Sequence, residues 1–582
     1  MKKKILSVIL VLAMLMTGML FVNVSAATPD QNAEPGSEAY TAWLVAEGYK
    51  PITTYAEFAA LATTATPHPT VSGRFVMDGK YYLANDIVME NTAYILAEGD
   101  FAGSFDGNGH TIYNCKAMTY DFLTGSWKNV TYSKYTSPEK TEEFDTTASI
   151  FWGIDNGALM ENVINERNFA DVSNYWGCFA RKSCENATAT FINCANYSSI
   201  ASPYPVNNHK IGGFIGTADA GANLTFINCK NFGDVTASQV GGFIGIIKKG
   251  TFTFKNCENN GIISGLIGKS PSGSSAYCVA GGFIGGFNNV GAIDGNVNVV
   301  IEDSANNGNV VRLEKNSPVS KSNKVTQGGF IGNLGSSTDS AFISLTVKNS
   351  VVQNCKVGGA SSWEDLVNAD TGEVTEDYTQ GYAGAIIGWF GNNKAGDKAV
   401  IENVIVNNVT IAAGDPETAS LFLNTNSDVN NVAMKNVYAI NSTANNVSTG
   451  KYTITNSGTA TNVTVNKAQA STPAEGVMNL RFLGSIDNLN YLGMGYLVSI
   501  TVNGTTTYKV VNTKSVYETV NNGAGTLSKS DFGGNYILAM AIEGEAADVT
   551  AVYAVTPYAL TEDGKIVTGV TKSITLINGV LN

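Results

Sequence analysis

Gly212-Gly213-Phe214-Ile215-Gly216, followed by Leu224-Thr225-Phe226-Ile227-Asn228-Cys229, is the stretch that decides the fold. The pair returns as Gly241-Gly242-Phe243-Ile244-Gly245 with Phe252-Thr253-Phe254-Lys255-Asn256-Cys257. It returns again as Gly281-Gly282-Phe283-Ile284-Gly285 with Val299-Val300-Ile301-Glu302-Asp303-Ser304, and as Gly328-Gly329-Phe330-Ile331-Gly332 with Leu345-Thr346-Val347-Lys348-Asn349-Ser350. Such units cannot bury their apolar faces singly, so they stack. Phe214 to Cys229 spans 15 residues and Phe243 to Cys257 spans 14, whereas successive phenylalanines lie 29, 40 and 47 residues apart. A near-constant half joined to a variable half describes a coil of rigid strands with insertable loops.

Each coil is too short for helices and carries period-2 apolar runs, which predicts short strands turning at Gly and Asn. Stacked coils pair their strands in parallel, about 4.8 Å apart. Because parallel crossovers are overwhelmingly right-handed, the expected fold is all-β, a right-handed parallel β-helix. Phe214, Phe243, Phe283 and Phe330 then form one interior column, and Phe226, Phe254, Ile301 and Val347 a second. Asn228, Asn231, Asn256 and Asn259 are expected to stack as amide ladders at the corners.

Degenerate copies extend the repeat from Ala148-Ser149-Ile150-Phe151 and Trp176-Gly177-Cys178-Phe179-Ala180 to Gly384-Ala385-Ile386-Ile387-Gly388 and Ala419-Ser420-Leu421-Phe422. Upstream, Thr54-Tyr55-Ala56-Glu57 is a capping box opening a short helix that can cover the end of the stack. The expected organisation is a signal peptide (1–26), a flexible lead-in (27–50), an N-terminal cap (51–100), the β-helix (101–465), a linker (466–475) and a β-sandwich (476–582). The last rests on strands such as Tyr496–Val502 and Thr507–Val511 around Asn503-Gly504, a hairpin signal.

The leader reading comes from Lys2 to Lys4, the apolar run Ile5 to Val22 and the small residues Val24-Ser25-Ala26. It predicts a secreted protein, extracellular or held at the cell surface, without a transmembrane anchor. With 36 basic and 49 acidic residues the net charge is −13, or −16 once the three leader lysines are removed. A surface of that sign repels nucleic acid.

The Gly-Gly-Phe-Ile-Gly units and their Asn-Cys lines resemble the GLUG-type repeats of secreted Gram-positive surface proteins. The resemblance covers roughly residues 80 to 440 and implies a right-handed β-helix with adhesive or carbohydrate-linked roles. GLUG repeats also accompany zinc metallopeptidases that carry a His-Glu-x-x-His helix. This chain has only His68, His110 and His209 and lacks that motif, so the activity is not carried over. The tail, with Asn479-Leu480-Arg481-Phe482-Leu483-Gly484, resembles an accessory module at the C-termini of secreted clostridial-type proteins.

Among candidate sites, Cys115, Cys194, Cys229, Cys257 and Cys355 all follow Asn, while Val163, Ser304 and Ser350 take comparable places. The column therefore needs a small residue rather than a thiol; stacked thiols point the same way, which is poor disulfide geometry, and no Cys-x-x-Cys pair points to zinc. His110 beside Asp106 invites an acid–base reading, although turn chemistry accounts for Asp-Gly-Asn-Gly without it. His68 shows no partner, and His209 reads as solvated. A lyase needs a carboxylate with Arg or Lys on adjacent coils. Arg167 with Glu161 and Glu166, and Arg181 with Glu185, are the places to look, and surface ion pairs explain them equally well. The long insertions are better candidates for binding: Arg312 to Gln327 with Lys315, Lys321 and Lys324, and the stretch holding Trp363, Asp370, Asp377 and Tyr378. Aromatic rings beside carboxylates suit sugar stacking or calcium, against the plainer reading of a solvated acidic loop. The expected function is a non-catalytic solenoid for adhesion or glycan binding, with no cofactor beyond a possible calcium ion. Its partners would be polysaccharide, or cell-surface glycan or protein. The rival is a β-helix polysaccharide lyase or glycoside hydrolase.

Overall fold

In the computed structural model, every Gly-Gly-Phe unit is a bend between two walls of a parallel β-helix. The structure describes residues 28–69, 75–89, 99–114, 119–121, 126–128, 149–166, 175–202, 209–268, 278–287, 296–315, 325–335, 342–360, 381–391, 397–412, 419–425, 432–440, 442–444, 454–455, 464–471, 479–487, 489, 493–502, 505–512, 516–521, 525–543, 550–560, 566–569, 571–577 and 580–581. One coil shows the plan. Lys210–Gly212 lies in a first wall of seven strands, and Ile215–Ala218 in a second of eleven. Ala222–Ile227 and then Lys230–Asn231 lie in a third wall of twenty, and Val235–Ala237 in a fourth of seven. Neighbouring coils match in parallel register: Ile215 faces Ile244, Phe226 faces Phe254, and Asn231 faces Asn259.

Both expected columns form. Phe179, Phe214, Phe243 and Phe283 stack with centroids 4.5, 4.8 and 4.8 Å apart, and Phe330 turns edge-on to Phe283 at 74°. The facing column meets it edge to face, as with Phe226 at 5.7 Å and 82° to Phe214. All these rings are fully buried. The second glycine of each bend is required by close approach. A Cβ on Gly242 would lie 2.1 Å from the Gly282 carbonyl and 2.5 Å from Asn259 Oδ1. The Asn before each small residue also has a backbone reason: Asn193, Asn228, Asn256 and Asn349 have φ of 53°, 54°, 53° and 49°, where Asn is among the few side chains tolerated.

Two amide ladders run up the corners. The outer one joins Asn193, Asn228 and Asn256, with Nδ2 of each donating to Oδ1 of the residue one coil below, at 3.1, 3.0 and 2.8 Å counting from Asn193 to Asn162. The inner one is buried: Asn196, Asn231 and Asn259 each donate to the coil above, at 2.8, 2.8 and 2.7 Å, ending on Asn306. Each inner amide also caps a local carbonyl, Asn231 reaching Gly233 at 2.9 Å.

Cys194, Cys229 and Cys257 do stack, each thiol donating at 3.4 Å to the carbonyl of Met160, Phe191 or Phe226 one coil below. Ser304 and Ser350 continue the file and accept the amide N–H of Cys257 and Ser304. Cys355 does not belong to it, because Ser350 already holds that place. It lies further round the coil, where Asn306 Nδ2 approaches its sulfur at 3.8 Å. Cys115 lies outside the described residues.

Three expectations change. The lead-in contains a helix, Glu38–Ala46, capped by Ser37 and held by buried Tyr40 and Leu44. The third wall already begins at Lys50–Ile52, paired parallel with Tyr81–Leu83, so part of the expected cap belongs to the stack. Residues 466–471, read as the start of the linker, belong to a strand, Thr464–Ser471, antiparallel to Asn479–Ile486, which gives that strand's backbone a partner on its second edge. The capping box at Thr54 and Glu57 forms as expected. Downstream, a four-stranded and a six-stranded antiparallel sheet share one core, with Leu480, Phe482 and Leu538 facing Tyr496, Val498 and Tyr553. That is the β-sandwich. Among the described residues no helix is long and apolar enough to cross a membrane.

Removing the Phe243 ring should lower stability by about 3–5 kcal/mol. Gly242→Ala should lower the chemical denaturation midpoint at least as far as Phe243→Ala, since its obstacles are backbone. A wild-type midpoint for Gly242→Ala would show that the coils part easily. Burial pushes the thiols of Cys278 and Cys355 up to about 12. Neither should react with iodoacetamide in the native protein near neutral pH, and both should label after unfolding, as read by peptide mass mapping.

Candidate functional site

Among the described residues, two surfaces bring together polar and aromatic side chains suited to meeting a ligand. The first is a groove of about 860 Å³ on the outside of the second wall, where the N-terminal segment crosses the first coils. Its floor comes from the turns that follow the second-wall strands. Asp155, Cys184, Asp219 and Lys248 stand at matching places in four successive coils, each five residues after Ile150, Phe179, Phe214 or Phe243. His68 arrives from the N-terminal segment and places Nε2 2.7 Å from Asp155 Oδ2, while the Asn156 amide donates to Asp155 Oδ1 at 2.7 Å. Asp219 pairs with Lys248 at 2.7 Å, and Lys182 and Glu185 line the same groove. His68 therefore has a partner after all, one that its Pro-flanked sequence context does not reveal.

The second surface is a file on the outside of the corner behind the inner Asn ladder. The residue after the Asn of this corner points outward: Tyr197, Phe232, Asn260 and Asn307 follow the ladder residues Asn196, Asn231, Asn259 and Asn306, and Glu166 follows Asn165, which holds the matching place one coil below with its amide on the Cys178 carbonyl. Their amides are held by the coil below, as Phe232 N–H is by the Asn196 carbonyl at 2.7 Å. Tyr197 and Phe232 are 46% and 37% exposed, large values for aromatic rings, and they stack at 4.6 Å and 9°. Beyond them Asn307 donates to Asn260 at 2.8 Å and Gln353 to Asn307 at 2.9 Å. Carboxylate, aromatic and amide groups thus follow one another at the coil spacing along the rod.

The residues singled out in the sequence fare unevenly. His110 turns to Asp86, with Nδ1 at 3.3 Å, and not to Asp106. Asp106 is buried under the N-terminal helix, accepting from Tyr40 Oη at 2.8 Å, the Asn108 amide at 2.7 Å and Asn162 Nδ2 at 3.2 Å. His209 is buried against Ser202 rather than solvated. Arg181 does not join Glu185 in a charged patch. Its guanidinium lies 4.0 Å from the Trp152 ring centroid and 5.2 Å from that of Trp176, because a weakly hydrated planar cation gains from stacking there. Arg312 is buried within the strand Val310–Lys315, beside Cys278. Trp363, Asp370, Asp377 and Tyr378 lie outside the described residues, as do Arg167, Lys321 and Lys324.

Sequence reading missed the Tyr197–Phe232 pair and the His68–Asp155 contact. The first had a signal, since both rings stand three residues after the Cys of an Asn-Cys line. The second had none, because docking of the N-terminal segment creates it.

No protein-family model matches the chain, and no curated protein matches it. Among solved structures it is similar to a candidate immunoglobulin A1 protease from Bacteroides ovatus, with 15% identity over 68% of this chain and 84% of that one, at a TM-score of 0.33. It is also similar to the enzymatically active domain of tailspike protein 4 of bacteriophage CBA120, with 11% identity over 88% of this chain and 67% of that one, at a TM-score of 0.22. Both likenesses are weak, and the β-helix stands on this chain's own strand registers.

Burial raises the pKa of Asp106 above its ordinary value, against the lowering by its three hydrogen-bond donors. A raised native pKa means that this group's contribution to stability is full below the unfolded pKa and is lost as pH rises through the native one. Wild type should therefore gain on Asp106→Asn as pH falls from 7 toward 4, in melting temperatures measured side by side. A difference that stays flat or shrinks would contradict the burial account.

Proposed function

We propose that this chain is an exported β-solenoid of the GLUG-repeat type that holds polysaccharide along its side without cleaving it. The observation that carries the reading is the outward file through Glu166, Tyr197, Phe232, Asn260 and Asn307. Exposed stacked rings give apolar faces and edges for the C–H surface of a sugar, and the neighbouring amides offer donors and acceptors for its hydroxyls. The file repeats at the coil spacing of about 4.8 Å, close to the length of one sugar ring, so a linear glycan can meet one group per coil. Export and a surface location follow from the leader-like residues Lys2 to Ala26, and the acidic balance favours neutral or basic glycans over polyanions. The insertion with Trp363, Asp370, Asp377 and Tyr378 stays a second candidate contact, with calcium as the ion its carboxylates would take.

The rival, a polysaccharide lyase or glycoside hydrolase, would use the groove with Lys182, Glu185 and Asp219. Against it, Asp219 is committed to Lys248 and Asp155 to His68 and the Asn156 amide. Such pairing leaves neither placed for acid–base work on a substrate.

The test is retention of the full chain on a glycan array and in affinity gels. Tyr197→Ala and Phe232→Ala should each weaken binding roughly tenfold, about 1.4 kcal/mol, with the fold intact by circular dichroism. Unchanged binding in the double variant would remove this surface from the reading. Growth of the ultraviolet absorbance of unsaturated products, on incubation with uronate polysaccharides and calcium, would establish the rival.

A further inference from the structure

Asp100, Asp155 and Cys184 come from three successive coils and converge under the N-terminal segment at one end of the groove. A ligand atom from each lies within 4.8 Å of the other two, and all three residues are buried, at 2%, 7% and 1% exposure. His68 reaches this cluster at Asp155, with Nε2 2.7 Å from Asp155 Oδ2. The convergence depends on Gly153. A Cβ there would stand 1.9 Å from Asp100 Oδ1, so Asp100 occupies space that any other residue would fill, with Cys184 Sγ in contact beside it at 3.4 Å. The strand registers explain how they meet, since Gly153 pairs with Asp100 on one side and Lys182 on the other.

We propose that His68, Asp100, Asp155 and Cys184 form a zinc site that fastens the N-terminal segment to the first coils. One nitrogen, two carboxylate oxygens and one sulfur make a mixed set of the kind zinc accepts in tetrahedral geometry. Oxygen-only ions such as calcium are poorly served by a thiolate and an imidazole. Bonds of about 2.0–2.3 Å place tetrahedral ligands about 3.3–3.8 Å apart, so Asp100, Asp155 and Cys184 need to close by up to roughly an ångström while His68 draws back from Asp155 by about half an ångström or more. On binding, Cys184 releases its proton to solvent and His68 presents the Nε2 lone pair, its proton residing on Nδ1. The ion also removes the mutual repulsion of two carboxylates held together away from water. Because the ligands come from places 32, 55 and 29 residues apart, no spacing motif announces them.

The experiment uses the full chain. After dialysis against zinc and gel filtration, elemental analysis should give one zinc per chain, and zinc should raise the melting temperature relative to EDTA. Cobalt substitution should produce a thiolate-to-metal charge-transfer band, and Cys184→Ser should abolish it while leaving the far-ultraviolet circular dichroism unchanged. His68→Ala, altered on the covering segment, should weaken metal affinity about 10- to 100-fold with the coils intact. The proposal is overturned if no metal is retained, if calcium alone stabilises the protein, or if the cobalt band survives in Cys184→Ser. It is also overturned if His68→Ala binds zinc as tightly as wild type.

Discussion

Each coil must accept its own copy at the distance of a backbone hydrogen bond. That constraint governs the rest of the structure. Where one coil's Gly242 meets the Gly282 carbonyl and the Asn259 amide, there is no room for even a methyl group. In the four central coils the second bend residue is therefore glycine, Cys178 and Ala385 taking that place in flanking coils, and the next side chain points inward. Phenylalanine suits that place because flat rings tolerate a repeat spacing near 4.8 Å by stacking face to face. Between Phe283 and Phe330, the longest of these sequence spacings, the ring tilts to 74° while the backbone register is kept.

The periodic part of this architecture was open to reading in the sequence. Phe214 and Phe243, the Asn-Cys lines and both amide ladders follow from counting residues between copies. Their partners are the same residue one coil away, so period alone determines contact. The count fails where a coil carries a second pair of Asn and small residue, as at Asn354-Cys355 after Asn349-Ser350, because composition alone does not say which pair keeps the file. It also fails wherever the partner is not a copy. Tyr40 meets Asp106 and His68 meets Asp155 across 66 and 87 residues, and nothing periodic joins those positions. Arg181 is a third kind of miss: its charge suggested Glu185, and the aromatic neighbours from two walls took it instead.

The division between what repeats and what does not has a functional side. Inward files are limited to shapes that stack, so they carry stability and leave chemistry elsewhere. Outward positions such as Tyr197, Phe232 and Asn260 sit on an equally regular lattice but are free in composition. A binding surface can then change coil by coil without disturbing the interior. The N-terminal segment adds the only described crossing of that lattice by non-repeating chain along the groove, and there histidine, carboxylate and thiol come together.

The two amide ladders point opposite ways. Inner side chains donate toward the C-terminal end and outer ones toward the N-terminal end. Each ladder polarises along its own length, since every amide that donates becomes a better acceptor. Side by side and opposed, their dipoles offset each other, so further coils can be added without building an electric field along the axis. Antiparallel polarity in the corners thus lets a rod made of uniformly parallel strands vary in length.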